Sequence, residues 1–276
     1  DAIAVQTTKI PRAVIEAAPN LKVVSRHGVG YDSVDVAALT ERGIPLCVAA
    51  TSNAVSVAEH TMYFILSLAK KSVEFDHATR NDNFWIKRQM GAQDIADKSV
   101  LLVGFGRIGT RVAKRALAFD MKVSVIDPFV DDTVIKAAGC TPVHDLAAAL
   151  PEMDFVSLHC PKSPETVNLM GKAQFAAMKP TAHVINTARG GMVDEDALYD
   201  ALTSGAIAGA GIDVFASEPP KPEHPLFQLD NIIVSPHSAG VTEQSILRMA
   251  SQTAENVLNV LDGKPNPDTV INKEVL

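Results

Sequence analysis

The chain has 276 residues, of which 47% are hydrophobic and 21% are charged, and its formal net charge is −7. This composition is typical of a globular protein with one large domain or two moderate ones, and we expect two. The acidic balance argues against a nucleic-acid-binding protein, and apolar runs such as 63–69 fall far short of the roughly 18 to 20 residues that span a bilayer, so neither nucleic acid nor membrane is an expected partner.

The first residues form a small pattern of strands and helices. The chain opens within a predicted strand and without Met, so we expect a segment to precede it and the N-terminal domain to be incomplete at its start. The predicted strands are 3–5, 21–26 and 45–49, and the predicted helices are 35–43 and the long apolar helix 56–71.

From residue 98 onwards, short apolar runs alternate with segments of helical spacing. The predicted strands are 98–104, 122–127, 154–160, 183–188, 210–215 and 231–237. The predicted helices are 111–119, 144–150, 172–178, 194–205 and 242–263, the last capped by Gly263. Near-continuous apolar strands between helices indicate a doubly wound parallel sheet, a Rossmann α/β fold, with ligands bound at the carboxyl ends of its strands.

The two long helices are expected to carry the chain between two domains. We predict a smaller, flavodoxin-like α/β domain built from residues 1–52 and 242–276. The larger domain is predicted to cover residues 53–241. Cys47, Cys140 and Cys160 are far apart and lack CxxC spacing, so we expect reduced thiols in a cytoplasmic protein, and we predict no metal site.

Glycines recur with GxGxxG spacing between a predicted strand and a predicted helix, at Gly104, Gly106 and Gly109. Such glycines allow a tight turn and let the backbone approach a pyrophosphate at a helix N-terminus. Asp127 ends the next strand, where a carboxylate can accept both ribose hydroxyls of an adenosine. Because a carboxylate would repel a 2′-phosphate, the pattern predicts NAD rather than NADP as the cofactor. The domain of residues 53–241 is therefore the predicted NAD-binding domain.

Three side chains with complementary chemistry follow the later strands, namely Arg189, Glu218 and His237. A nicotinamide enzyme acting on a 2-hydroxy acid needs a cation for the carboxylate and a proton carrier for the 2-oxygen. Arginine pairs bidentately with carboxylates, histidine titrates near neutrality, and a glutamate beside it favours the imidazolium and fixes the ring. Each residue alone could instead be a surface arginine, a solvated carboxylate or a structural histidine.

Seven segments give the chain a resemblance to the NAD-dependent D-isomer-specific 2-hydroxyacid dehydrogenase family. In family order they are 28–35, 52–61, 103–109, 158–166, 186–198, 211–220 and 235–240. The resemblance implies that Arg189, Glu218 and His237 are the catalytic triad. It implies that the smaller domain, 1–52 and 242–276, is the substrate domain, in which the backbone of Val29 and Gly30 holds the substrate carboxylate. It also implies a homodimer formed through the helix at 56–71. Beside the three glycines, it implies an NAD site lined by Arg107, Ile108, Asp127, Thr187, Ala188, Asp213 and Gly240.

The predicted function is reversible hydride transfer between NAD(H) and a small D-2-hydroxy or 2-oxo acid, with hydroxypyruvate or glyoxylate favoured. Relatives that handle a phosphorylated acid carry an arginine where this chain has Gln6, and Lys9 is the only cation expected nearby. D-3-phosphoglycerate dehydrogenase is the alternative, and an NAD-sensing corepressor-like protein is the second. A formate dehydrogenase fits poorly, because that branch has Gln where Glu218 stands.

Overall fold

The computed structural model describes residues 1–89 and 91–276, which fall into two compact units. Unit 1 comprises Asp1–Ser56 and Gly240–Leu276, and unit 2 comprises Val57–Ala239. The unit boundaries therefore lie at 56 and 240, where the sequence predicted domain boundaries at 52 and 242. The roles assigned to the two predicted domains remain predictions.

The strands and helices follow one another along the whole chain. The strands are β1 Ala2–Val5, β2 Val23–Arg26, β3 Leu46–Val48, β4 Ser99–Val103, β5 Lys122–Ile126, β6 Thr141–Pro142, β7 Phe155–Leu158, β8 His183–Asn186, β9 Gly209–Ile212 and β10 Ile232–Val234. The α-helices are α1 Arg12–Glu16, α2 Val36–Glu41, α3 Ala54–Ala69, α4 Ser72–Arg80, α5 Gly109–Ala118, α6 Asp132–Ala137, α7 Leu146–Ala149, α8 Lys172–Ala177, α9 Glu195–Ser204 and α10 Glu243–Leu261.

Every predicted strand and helix has a counterpart, but the sequence did not predict α1, α4, α6 or β6. The last predicted strand, 231–237, was too long, since β10 ends at Val234. Pro236 has no N–H to donate to a neighbouring strand, and His237 has a φ of 54°, which is outside the extended region. His237 therefore lies in a loop and not on the strand.

Unit 1 is built on a three-stranded parallel sheet in the order β1-β2-β3. The C-terminal helix α10 packs on this sheet, because the Ser25 hydroxyl donates to the Thr253 carbonyl at 3.1 Å. The Asn256 amide likewise donates to the Val48 carbonyl at 3.1 Å. These buried hydrogen bonds join the two ends of the chain in one unit.

Unit 2 contains a seven-stranded parallel sheet in the order β10-β9-β8-β7-β4-β5-β6. Strand β4 shows why both faces are covered, since its buried residues alternate between two separate apolar clusters. Leu101 packs in the cluster that includes Leu198 of α9, whereas Leu102 packs in the cluster that includes Phe64 of α3. Alternation of side chains along a strand places helices on opposite faces. The predicted doubly wound α/β fold is confirmed.

All strands of this sheet are parallel, so their carboxyl ends lie along one edge, which we call the carboxyl edge of unit 2. The chain runs from β4 outward through β5 and β6 and then returns to the other side of β4 with β7. Doubly wound sheets bind ligands at such a reversal of strand order. Within residues 1–89 and 91–276, every helix is too short or too polar to cross a lipid bilayer.

Candidate active site

The glycine loop after β4 combines two tightly packed glycines with one open one. Gly104 has a φ of 106°, and a Cβ added there would lie 2.7 Å from the backbone of His159 and Cys160. A Cβ on Gly109 would lie 2.1 Å from the Gly104 carbonyl oxygen. By contrast, a Cβ on Gly106 would meet no heavy atom within 4 Å. The loop thus leaves bare backbone at the N-terminus of α5, which fits the pyrophosphate of a dinucleotide.

Because Gly106 is open and Gly104 is tightly packed, alanine variants at these two positions can test cofactor binding and folding separately. We expect Gly106→Ala to melt at the wild-type temperature but to bind NADH about tenfold more weakly or worse, because its Cβ occupies the approach to the loop. Calorimetric titration with NADH and a thermal melt measure the two effects. Gly104→Ala is the comparison variant and should lose stability, since a Cβ there meets backbone at 2.7 Å. Wild-type NADH affinity in Gly106→Ala would contradict the loop assignment.

Asp127 follows β5 and is held against the glycine loop. Its Oδ2 accepts the Phe105 N–H at 2.7 Å, and its Oδ1 accepts the Phe129 N–H at 2.9 Å. Each carboxylate oxygen has two lone pairs, so acceptor capacity remains on both oxygens. The predicted ribose-binding carboxylate is therefore oriented by the loop that would hold the pyrophosphate. The neighbouring Cys160 has a pKa raised to about 11 by burial, with a smaller contribution from Asp127.

The loop after β8 carries Arg189 and is shaped by a buried asparagine that the sequence analysis did not single out. Asn186 is 1% exposed, and its Nδ2 donates to the Arg189 carbonyl at 2.9 Å. Its Oδ1 accepts the Ala188 N–H at 3.0 Å, and the Arg189 Nη1 donates to the Ala188 carbonyl at 2.7 Å. Arg189 is half-buried. A polar residue at the end of an apolar strand was the available sequence signal for Asn186.

Glu218 and His237 come together in the loops after β9 and β10. The His237 Nδ1 lies 2.7 Å from the Glu218 Oε2, and the two side chains are 49% and 34% exposed respectively. The Glu218 Oε1 accepts the Phe215 N–H at 3.0 Å. The contact between His237 and Glu218 engages the Nδ1 atom of the His237 ring with the carboxylate and leaves its Nε2 atom available to a substrate. Because β8 is the neighbour of β9, the loop carrying Arg189 ends at the same edge.

Asp213 holds the loop in which His237 lies. It is 1% exposed, and its Oδ1 accepts the Ser235 hydroxyl at 2.5 Å and the Ser238 N–H at 2.8 Å. Its Oδ2 accepts the Ala239 N–H at 2.9 Å, and its carbonyl accepts the His237 N–H at 2.7 Å. These contacts orient the loop. The predicted contact between Asp213 and the cofactor stays a prediction.

Helix α3 supports the same loops from one face of the sheet. The His60 Nε2 lies 3.0 Å from the Ser235 hydroxyl, and the Thr61 and Thr187 hydroxyls are 3.0 Å apart. Burial lowers the pKa of His60, which favours its neutral ring. The predicted cofactor-lining Thr187 therefore has its hydroxyl bonded inside unit 2. The contact between His60 and Ser235 joins α3 to the loop after β10 and was not predicted from the sequence.

Three predicted site residues, Val29, Gly30 and Gly240, belong to unit 1. Val29 and Gly30 are half-buried in the loop after β2. Arg26, the last residue of β2, lies opposite Val5 in the parallel register, and its Nη1 donates to the His27 carbonyl at 2.5 Å. The register therefore sets a second basic residue, Arg26, opposite the residue that precedes the loop beginning at Gln6. The expectation that Lys9 is the only cation near that loop stays a prediction.

The remaining predicted cofactor residues lie at the start of α5 and at the end of β8. Arg107 is exposed, Ile108 is half-buried, and Ala188 is 9% exposed. In the part of the chain that the structure describes, no group of three or more His, Cys, Asp or Glu residues is arranged to hold a metal ion.

A protein-family model described as "D-isomer specific 2-hydroxyacid dehydrogenase, NAD binding domain" matches residues 62–239. The glyoxylate reductase of Thermofilum pendens is 41% identical, over 98% of this chain and 80% of its own length. The D-3-phosphoglycerate dehydrogenase of Archaeoglobus fulgidus is 40% identical, over 96% of this chain but 50% of its own length. The chain thus spans about half the length of the phosphoglycerate dehydrogenases that it matches.

The chain is also similar in fold and sequence to solved structures. The TT0316 protein of Thermus thermophilus has a TM-score of 0.90 and 35% identity, over 97% of this chain and 85% of its own. A D-lactate dehydrogenase of Aquifex aeolicus, complexed with NAD and lactic acid, has a TM-score of 0.85 and 31% identity, over 95% of this chain and 83% of its own. The predicted cofactor, NAD, is the one named for the matched domain. The chain belongs to the D-isomer specific 2-hydroxyacid dehydrogenase family, and residues 62–239 match the family's NAD-binding domain.

Proposed function

We propose that this chain is the catalytic part of an NAD-dependent D-2-hydroxyacid dehydrogenase that acts reversibly on a small 2-oxo or 2-hydroxy acid. The observation that carries the proposal is the 2.7 Å contact between His237 and Glu218. The contact between His237 and Glu218 lies at the carboxyl edge of unit 2. The loop that carries Arg189 and the glycine loop with Gly106 lie at the same edge. Unit 1 would be the substrate domain, with the backbone of Val29 and Gly30 as its contact to the substrate.

Each of the three side chains has a distinct task in this reaction. Arg189 holds the substrate carboxylate through its planar guanidinium and polarises the carbonyl. His237, protonated and oriented by Glu218, gives its Nε2 proton to the carbonyl oxygen in the reductive direction. When bound, NADH supplies the hydride that adds to the 2-carbon and forms the D-isomer. In the oxidative direction, His237 takes the hydroxyl proton back.

The favoured substrate is an unphosphorylated acid such as hydroxypyruvate or glyoxylate. Gln6 is uncharged, and a phosphate buried without a matching cation is unfavourable. The glyoxylate reductase relative, of which this chain covers 80%, supports the same choice. A phosphorylated acid is the second candidate. It is favoured by the pairing of Arg26 with Val5, the residue before the loop that begins at Gln6, and by the phosphoglycerate dehydrogenase relatives.

The deciding measurement is kcat/KM with NADH for hydroxypyruvate, glyoxylate and 3-phosphohydroxypyruvate. We expect one of the unphosphorylated acids to exceed the phosphorylated acid by about tenfold or more, which corresponds to about 1.4 kcal/mol. The reverse order would make the chain part of a phosphoglycerate dehydrogenase. NADH binding without turnover of any acid would instead favour the NAD-sensing corepressor-like alternative.

Cofactor preference is expected to depend on Asp127. The unaltered chain should use NADPH poorly, since the carboxylate repels a 2′-phosphate. The double variant Asp127→Ser/Pro128→Arg should move the preference toward NADPH, measured as the ratio of kcat/KM values for the two cofactors. Asp131→Ser is a matched control, because Asp131 is a carboxylate of the same connecting segment that caps α6 through the Thr133 N–H. Equal use of both cofactors by the unaltered chain would show that Asp127 does not reach the ribose.

The homodimer remains part of the proposal, with its contact on α3. Tyr63 of α3 and Phe119 beyond α5 are 47% and 45% exposed, and both line one shallow depression of unit 2 together with Leu66. Apolar surface of this kind is typical of subunit contacts. Light scattering after size-exclusion chromatography measures the mass of the assembly. The cytoplasmic location stays a prediction.

A further inference from the structure

The peptide bond between Phe215 and Ala216 is the contact point of two loops at the carboxyl edge. It belongs to the loop after β9, three residues before Glu218. The Ala216 N–H donates to the Glu195 Oε1 at 2.7 Å. On the other side, a Cβ added to Gly190 would lie 1.7 Å from the Phe215 carbonyl oxygen. The peptide is therefore confined between the start of α9 and the residue that follows Arg189.

Glu195 is itself oriented by a histidine. The Glu195 Oε2 lies 3.2 Å from the His224 Nε2, and the two side chains are 20% and 17% exposed. The His224 Nδ1 accepts the Leu226 N–H at 3.4 Å, so Nε2 carries the proton and donates to the carboxylate. The His224 ring also packs against the rings of Phe215 and Phe227, with centroids 5.5 Å and 5.2 Å away.

The two glutamates accept consecutive backbone N–H groups of one loop. Glu195 accepts the N–H of Ala216, and Glu218 accepts the N–H of Phe215 at 3.0 Å. A rotation of the Phe215–Ala216 peptide would therefore displace the backbone that orients the Glu218 carboxylate. The 2.7 Å contact from that carboxylate to His237 depends on this orientation.

We propose that Glu195 and His224 are positioning residues for the contact between Glu218 and His237, and that they act through the Phe215–Ala216 peptide. Neither residue touches the reacting atoms. Their effect on catalysis rests on the proposed function, in which His237 is the proton carrier. Neither residue was singled out from the sequence, since His224 shows no metal-ligand spacing and Glu195 lies at the start of a predicted helix.

The kinetic test compares Glu195→Ala with Glu195→Gln. We expect Glu195→Ala to lower kcat by about tenfold to a hundredfold, since displacement of a catalytic group by about 1 Å can have an effect of that order. Its KM for NADH should stay unchanged. Glu195→Gln keeps an oxygen that can accept the Ala216 N–H and should restore most of kcat. In Glu195→Ala, the alkaline fall of the reductive rate should move to lower pH, as in Glu218→Gln, because the imidazolium loses its oriented partner.

Asp154→Ala is the matched control, because it removes a similar carboxylate at the opposite edge of the same sheet. The Asp154 side chain is 18% exposed, its Oδ2 accepts the Ser99 N–H at 2.9 Å, and its Oδ1 lies 3.1 Å from the Lys179 Nζ. This variant should lose stability but keep wild-type kcat and an unchanged pH profile. The proposal is overturned if Asp154→Ala lowers kcat and shifts the profile as Glu195→Ala does, or if Glu195→Ala leaves both at wild-type values.

His224→Phe provides a second variant should Glu195→Ala fail to fold. It keeps the aromatic packing against Phe215 and removes the polar contacts of the ring to Glu195 and to the Leu226 N–H. We expect a severalfold lower kcat with the same direction of shift in the pH profile. Wild-type kcat together with an unshifted profile in this variant would also overturn the proposal.

A measurement without turnover separates this proposal from the proposed function. In protein labelled with ¹³C in its histidine rings, the His237 signal is assigned by its loss in His237→Gln. Glu195→Ala should move this signal in the direction seen in Glu218→Gln, whereas Asp154→Ala should leave it in place. If the wild-type chain turns over no 2-oxo acid, the proposed function fails, but this shift still tests the positioning role. A His237 signal that is identical in Glu195→Ala and wild type overturns it.

Discussion

His237→Ala is expected to lower kcat by roughly 10² to 10⁴-fold, the usual range for a lost general acid. The His237 Nδ1 is bonded to Glu218 at 2.7 Å, so Nε2 is the nitrogen that can serve the substrate oxygen, and alanine offers no replacement donor. Steady-state rates of NADH oxidation with the best 2-oxo acid measure the loss. The KM for NADH should change little, because the glycine loop and Asp127 are untouched.

His144→Ala is the control for this experiment. His144 is 77% exposed in its side chain and lies 3.3 Å from Asp132, at the edge of unit 2 far along the sheet order from β10. We expect wild-type kcat in this variant. A His237→Ala protein that is folded and retains near-wild-type turnover would remove His237 from the mechanism.

Gly190→Ala should disable the active site without changing a charged group. The added Cβ would lie 1.7 Å from the Phe215 carbonyl oxygen and 2.9 Å from the Ala216 nitrogen. Both contacts are with backbone, so no side-chain rotation relieves them and the loops must separate. Overpacking of this kind typically costs about 1–3 kcal/mol, which lowers the melting temperature by several degrees. Because Gly190 follows Arg189 directly, we expect kcat to fall by about 10²-fold as well.

Gly171→Ala is the matched comparison for Gly190→Ala. Gly171 precedes α8 with a φ of −119°, and a Cβ there would meet nothing closer than 3.5 Å. This variant should keep the wild-type melting temperature and kcat. Wild-type activity in Gly190→Ala would show that the Arg189 and Glu218 loops can part without consequence, contrary to the structure.

Local patterns in the sequence were sufficient to predict the parallel sheet and the glycine loop after β4. Near-continuous apolar strands such as Ser99–Val103 predict burial on both faces, and glycines at fixed spacing predict a turn, because both properties depend on neighbouring residues. Short elements escaped prediction. Helix α1 has five residues and β6 has two, so neither shows enough periodicity to be detected, and both are stabilised by packing against the rest of their unit.

In the candidate site, too, the residue types could be predicted from the sequence, but the contacts between them could not. Arg189, Glu218 and His237 could be singled out from the sequence because each lies at the end of a predicted strand or shortly after it. The contact between Glu218 and His237, 19 positions apart, depends on β9 and β10 being neighbours in the sheet. The bond from Ala216 to Glu195, 21 positions apart, likewise depends on how α9 packs.

Strand pairing also explains why Arg26 was not considered together with the loop that begins at Gln6. In sequence, Lys9 is the near cation and Arg26 is distant, but parallel pairing of β1 with β2 sets Val5 opposite Arg26. Composition, strand pattern and the residue types of the site were therefore determined by the sequence alone, since they are properties of short segments. Which side chains meet was decided only by the tertiary structure, because hydrogen bonds act over about 3 Å and depend on strand order and register.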